Sequence, residues 1–318
     1  MNFRNFGKTG LKVSEIGFGC GRVGGLLLGS DEAAKRLAVR KALEAGVNWF
    51  DTAEAYGTET ALGRLLAEAR ADVFVSTKLT LDPAAPNLAG QVETKTRAGL
   101  ARLGREQVTV LQIHNRIDDA GGAGALSAEQ MLGPVAEGLE RMRGAGATRF
   151  IGFTALGDTT TIVRVIRDGR FDSAQVYYNL VNPSAARPMP PLWRGQSFTG
   201  ILDATRAQNM GVLAIRVLDG GIIATDERTK PVSMMARQTS EAIEAERSAR
   251  ALAVLGENLG SRAQIGVRFA LACPDVSVAL VGIGDPAHVD AATAAAAMGP
   301  LPADALARLE PLYERDFA

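Results

Sequence analysis

Four side chains able to hold or move a proton each follow an apolar, strand-like run. The run from Val47 to Phe50 leads into Asp51, and five positions later Tyr56 stands in a loop closed by Gly57. Val73-Phe74-Val75-Ser76-Thr77 delivers Lys78, and Val108-Thr109-Val110-Leu111-Gln112-Ile113 delivers His114. Singly, each has a bland role: a turn or helix cap for Asp51, packing for Tyr56, a surface charge for Lys78, a satisfied imidazole for His114. As a set they suggest proton delivery. A phenol with an ordinary pKa of ~10 is a poor acid at neutral pH, but a cation beside it is expected to lower that value, with Asp51 holding the ammonium of Lys78 in place. A neighbouring imidazole can orient a carbonyl oxygen as it becomes an alkoxide. None of these groups carries two electrons, so a carrier such as nicotinamide is required.

The elements that must bring these residues together are legible as an alternation. Apolar, β-branched runs recur near 15–19, 47–51, 73–77, 108–113, 149–153, 173–177, 211–215 and 277–281. Segments of helical periodicity lie between them, near 31–45, 59–69, 87–102, 128–144, 159–168, 199–209, 261–272 and 286–297. Short apolar strands alternating with helices imply a parallel sheet buried on both faces. Eight such units in 318 residues predict a (β/α)8 TIM barrel in one domain, 1–318, whose strand ends converge on one mouth. Residues 2–13 read as a β-hairpin around Gly7-Lys8-Thr9-Gly10, placed to plug the bottom of the barrel. An extra helix near 240–258 and a last helix after Pro302 exceed the minimal fold, and the loops 115–127, 182–198 and 219–239 are long.

Composition removes other classes. Thirty-five basic residues balance thirty-five acidic ones, which argues against a nucleic-acid partner, since such binding needs clustered positive charge. Cys20 and Cys273 are far apart with no Cys/His cluster, so neither a disulfide framework nor a metal site is expected. The N-terminus lacks the apolar core of a signal peptide, and no apolar stretch approaches the ~20 residues needed to span a bilayer. A cytoplasmic protein without membrane association is expected.

Phe50-Asp51-Thr52-Ala53-Glu54-Ala55-Tyr56-Gly57, Ser76-Thr77-Lys78 and Leu111-Gln112-Ile113-His114 resemble the signature segments of the aldo-keto reductases, as does the opening Gly7-Lys8-Thr9-Gly10-Leu11-Lys12-Val13-Ser14-Glu15-Ile16-Gly17-Phe18-Gly19. The resemblance runs from about residue 3 to residue 290. It implies an NAD(P)H cofactor bound without a Rossmann domain and a catalytic tetrad of Asp51, Tyr56, Lys78 and His114, with Tyr56 as general acid in reduction and base in oxidation. The same resemblance places Gly19, Cys20 and Arg22 at the coenzyme. It puts Thr154 and Gln175 at the nicotinamide carboxamide, with Ala155 standing where an Asn is usual. Leu218, Gly220 and Gly221 fall in the loop that covers the pyrophosphate, and Ile215 or Arg216 replaces the aromatic that often stacks on the nicotinamide. The segment of Gly282, Ile283, Gly284, Asp285 and His288 is similar to the one that grips the adenosine phosphate. Gly284-Asp285 offers no cation for a 2′-phosphate and adds a carboxylate, which favours NAD over NADP.

Arg22, Asn115, Arg116, Trp193 and Arg194 are candidates for the substrate rim. They favour a hydroxylated or anionic carbonyl, such as an aldose or a small aldehyde, with a sugar dehydrogenase as the oxidative version. Two alternatives remain open: a Schiff-base barrel aldolase using Lys78, and a nicotinamide-binding regulatory subunit. Oligomeric state is not legible.

Overall fold

The structure is a computed structural model that describes residues 1–227 and 232–318; four positions of the long 219–239 loop therefore lie outside the described residues. Eight parallel strands close into a barrel: β3 (Ile16–Gly19), β4 (Trp49–Asp51), β5 (Phe74–Leu79), β6 (Val108–Ile113), β7 (Thr148–Ala155), β8 (Ser173–Tyr177), β9 (Gly211–Ile215) and β10 (Val278–Gly282), with β10 pairing back onto β3. Helices α1 (Glu32–Glu44), α2 (Glu59–Glu68), α3 (Leu88–Leu103), α6 (Thr159–Arg167), α7 (Ile201–Ala207), α9 (Arg262–Ala272) and α10 (Pro286–Met298) form most of the outer ring. Their starts follow local chemistry: Asp31, Asn87 and Asp158 accept from backbone amides of the first turns, and Ser261 with Gln264 forms a capping box. The fold is the (β/α)8 barrel expected from the alternation.

One expected helix is broken. The segment 128–144 divides into α4 (Ala128–Gln130), a π-turn at Met131–Val135 and α5 (Ala136–Gly144). Pro134 lies inside the turn, and a proline there supplies no amide hydrogen and crowds the preceding turn. The two surplus helices are present as α8 (Glu241–Leu255) and α11 (Ala303–Glu314). Among the described residues no helix is long and apolar enough to cross a membrane.

The N-terminal hairpin pairs β1 (Phe3–Asn5) with β2 (Lys12–Ser14) antiparallel. Its turn inserts Phe6, which is fully buried against Trp49 with ring centroids 4.6 Å apart. Phe6, Leu11 and Val13 join Trp49, Val110, Leu213 and Val278 in a separate apolar cluster. Gly211 is required here, because a Cβ would lie 2.7 Å from the Phe6 ring. The hairpin thus closes one end of the barrel with apolar side chains, and the polar residues gather at the other.

Candidate active site

Strand alternation sets what points inward. Trp49 and Asp51 share one face of β4, while Phe50 between them packs into the outer core. In parallel pairing, register partners face the same side. Asp51 pairs with Ser76, and Lys78 with Gln112, so Ser76, Lys78, Gln112 and then His114 all line the interior.

Asp51 is the hub. Its Oδ2 accepts from Lys78 Nζ at 2.6 Å, and its Oδ1 accepts from Ser76 Oγ at 2.6 Å and Gln175 Nε2 at 2.7 Å. Lys78 is fully buried and donates a second bond to the Thr52 carbonyl at 2.8 Å. Ser76 is itself fixed by Trp49 Nε1, which donates to its hydroxyl at 3.1 Å. The ammonium lies 4.7 Å from the centroid of the Tyr56 ring.

Tyr56 is carried by a short 3-10 turn, Glu54–Tyr56, that ends at Gly57 in the left-handed region. Three contacts hold that turn: Lys95 Nζ on Glu54 at 2.9 Å, the Thr52–Thr58 hydroxyl pair at 2.8 Å, and Thr58 Oγ1 donating to the Cys20 carbonyl at 3.2 Å. His114 follows β6, its backbone amide donates to the Leu79 carbonyl, and its ring meets Tyr56 edge-on with centroids 5.4 Å apart. The four ionisable side chains therefore converge.

Their electrostatics differ from the simplest expectation at one point. Burial raises the Tyr56 phenol above its usual value, and the nearby Lys78 only partly counters it. The expected net lowering does not occur in this state, because desolvation of a phenolate outweighs one ion-paired ammonium. Burial also works against the Lys78 ammonium, but Asp51 and Tyr56 together hold its pKa above the usual lysine value. Burial, reinforced by Lys78, lowers His114 to about 3. The imidazole is therefore neutral at physiological pH and can donate one N–H to a carbonyl oxygen.

Tyr56 and His114 open into a cleft of about 300 Å³. Of the residues expected at a coenzyme, Gly19, Thr154, Gln175, Ile215, Arg216, Leu218, Gly220, Gly221, Gly282, Gly284 and His288 line it. Four others do not. The Cys20 thiol is buried and turned toward the Phe18 carbonyl, Arg22 is exposed, and Ile283 is buried behind the wall, its carbonyl bonded to the Leu26 amide. Asp285 caps α10 by accepting from the Ala287 amide at 2.8 Å. A helix start exposes free amide hydrogens, and an aspartate there satisfies one itself.

The cleft's chemistry fits an extended dinucleotide. Much of its wall is bare backbone at Gly19, Gly21, Gly24, Gly220, Gly221 and Gly282. The Thr154 hydroxyl is buried with no hydrogen-bond partner among the described residues. Gly21, Gly24 and Met235 were not anticipated as lining residues; the glycine-rich run 19–25 was the available signal for the first two. Met235 reaches the cleft through tertiary contacts, with its sulfur accepting from Arg216 Nε and its carbonyl from Arg116.

Several rim candidates have structural roles instead. Asn115 bonds both the amide and the carbonyl of Leu81. Trp193 stacks under the Arg247 guanidinium at 4.1 Å, and Arg194 pairs with Asp316 at 2.7 Å. None of the three lines the cleft.

The chain is similar to several known proteins. The sequence profile of the Aldo/keto reductase family matches residues 15–314. L-galactose dehydrogenase of Arabidopsis thaliana is 26% identical over 309 residues, covering 93% of this chain and 88% of the relative. A probable voltage-gated potassium channel subunit beta of the same plant is 36% identical over 124 residues, covering 36% of this chain and 37% of the relative. The holo form of aldo-keto reductase AKR11C1 from Bacillus halodurans shares the fold, with a TM-score of 0.76 at 18% identity over 100% of this chain and 97% of that one. With the family profile spanning nearly the whole sequence, the chain belongs to the aldo/keto reductase family and is an oxidoreductase.

Proposed function

We propose that the protein interconverts a carbonyl compound and its alcohol with a nicotinamide dinucleotide, Tyr56 moving the proton. The observation that carries this reading is the buried Lys78–Asp51 pair, 2.6 Å apart, lying against a phenol that opens into a backbone-lined cleft. The coenzyme, when bound, supplies the two electrons. Thr154 and Gln175 would hold its carboxamide, and the Gly220–Gly221 backbone its pyrophosphate. Neutral His114 donates to the substrate oxygen and orients it. Tyr56 gives that oxygen a proton in reduction and takes one back in oxidation, and Lys78 offsets the negative charge left on the phenol.

The aldolase alternative is disfavoured by the same pair. A Schiff-base lysine must be a free amine, whereas Lys78 is held as an ammonium by Asp51 and Thr52. A regulatory subunit would need the dinucleotide cleft but not the complete tetrad, which favours turnover.

NAD is favoured over NADP. At the adenosine end, Gly284 lines the cleft with no basic side chain where a 2′-phosphate would need one, and its amide is already engaged by His288 Nδ1 at 3.1 Å. A 2′-phosphate would find neither a lysine or arginine nor a free Gly284 amide there, whereas an unphosphorylated ribose needs neither. The likeness to L-galactose dehydrogenase supports an aldose substrate and a dehydrogenase working in the oxidative direction. The test is a panel of aldoses and aldehydes assayed with NAD and NADP in both directions, following reduced-nicotinamide absorbance. Turnover of at least one aldose, with tighter NADH than NADPH binding, is expected. A panel without turnover would overturn the activity, and tighter NADPH binding would overturn the coenzyme preference.

A further inference from the structure

Gln175 touches two things at once. Its side chain lines the coenzyme cleft, yet its amide nitrogen donates to Asp51 Oδ1 at 2.7 Å. A carboxylate only accepts, so the nitrogen end must face Asp51, and the carbonyl end is left for other donors. Ser76 donates to the same oxygen at 2.6 Å. These neutral donors spread the charge of Asp51, whose other oxygen holds Lys78.

We propose that Gln175 links the coenzyme cleft to the proton donor: by holding Asp51 it sets how readily Tyr56 gives up its proton, and a nicotinamide amide bound at its carbonyl end changes that readiness. This rests on the reading of Tyr56 as the proton-transferring group. The charged and titratable neighbours of Tyr56 are Asp51 from β4, Lys78 from β5, His114 after β6 and Cys20 after β3. The Asp51 charge opposes ionisation of the phenol and the Lys78 charge favours it. Removing a donor from Asp51 concentrates its negative charge, so Tyr56 should ionise at higher pH. A donor on the Gln175 carbonyl polarises the amide toward Asp51 and acts in the opposite sense. Gln175 is thus a positioning residue acting through Asp51.

Tyrosinate absorbance tests this without turnover. The other three tyrosines, Tyr177, Tyr178 and Tyr313, are driven well above the ordinary range by burial, and a Tyr56→Phe reference isolates the Tyr56 signal. Without dinucleotide, Gln175→Met and Ser76→Ala should each move the Tyr56 titration up by about half to one pH unit, and Ser76→Thr should restore it. In the wild type, NADH should lower the titration relative to ADP-ribose, which lacks the nicotinamide, and Gln175→Met should abolish that difference. Unchanged titration in Gln175→Met, or a NADH-to-ADP-ribose difference that survives it, overturns the proposal. A wild type without nicotinamide-dependent turnover would instead defeat the function reading, leaving the titration result standing on its own.

Discussion

The two ends of the barrel interior are built on the same strands from opposite materials. On β4, Trp49 faces the hairpin end and Asp51, two residues on, faces the mouth. On β5, Phe74 packs below, while Ser76 and Lys78 belong to the polar layer above. The lower end is closed by Phe6 and Leu11 and buries apolar surface, which stabilises the fold without electrostatic cost. The upper end buries an ammonium and a carboxylate and half-buries a phenol and an imidazole beside a cleft, an arrangement that desolvation penalises. Ser76 joins the two layers, accepting from Trp49 and donating to Asp51. The apolar packing below contributes stability that offsets the desolvation cost above.

Breaking the upper pair should have the largest effect. Lys78→Met leaves Asp51 buried without its cation, and a loss of about 3–5 kcal/mol in denaturant unfolding is expected, together with a turnover loss of roughly 10²–10⁴-fold. Wild-type stability in this variant would mean that the pair is not energetically buried as described. At the lower end, Phe6→Ala should cost a similar ~3–5 kcal/mol, yet leave dinucleotide affinity, measured by fluorescence titration, close to wild type. An affinity loss as large as the stability loss would show that the two ends are not separable.

A smaller effect is expected from Gly211→Ala, whose new methyl meets the Phe6 ring at 2.7 Å. It should destabilise by about 1–3 kcal/mol with turnover retained. The remaining effect concerns pH. His114 is held near 3 in the folded protein against an ordinary 6.5, so between those values the unfolded chain binds more protons. That contribution to stability is complete above the unfolded value and is lost as pH falls toward 3. His114→Gln cannot titrate there, so its melting temperature should fall less than wild type between neutral pH and pH ~4. Parallel curves would contradict the neutral, desolvated imidazole.

Much of this division is legible in the sequence. Periodicity located the barrel strands and helices because two-sided burial forces apolar runs, and the hairpin was marked by its glycines. The convergence of Asp51, Tyr56, Lys78 and His114 followed from strand ends meeting at one mouth. What sequence could not convey depends on packing between distant segments. Pro134 loosened one helix into a π-turn. Burial rather than the Lys78 charge dominates at Tyr56. Trp193 and Arg194 went to the C-terminal tail rather than the rim, since their partners lie on α8 and beyond α11. The second contact of Gln175 arises only when β4 and β8 face each other across the barrel.

The most direct test of Tyr56 as the proton-transferring group is Tyr56→Phe, assayed for turnover and for NADH affinity in the same preparation. Removing one hydroxyl should reduce kcat by at least about 10²-fold while the dissociation constant for NADH stays near the wild-type value. A variant that keeps wild-type kcat would show that the proton comes from elsewhere, and the assignment built on the buried Lys78–Asp51 pair would fail.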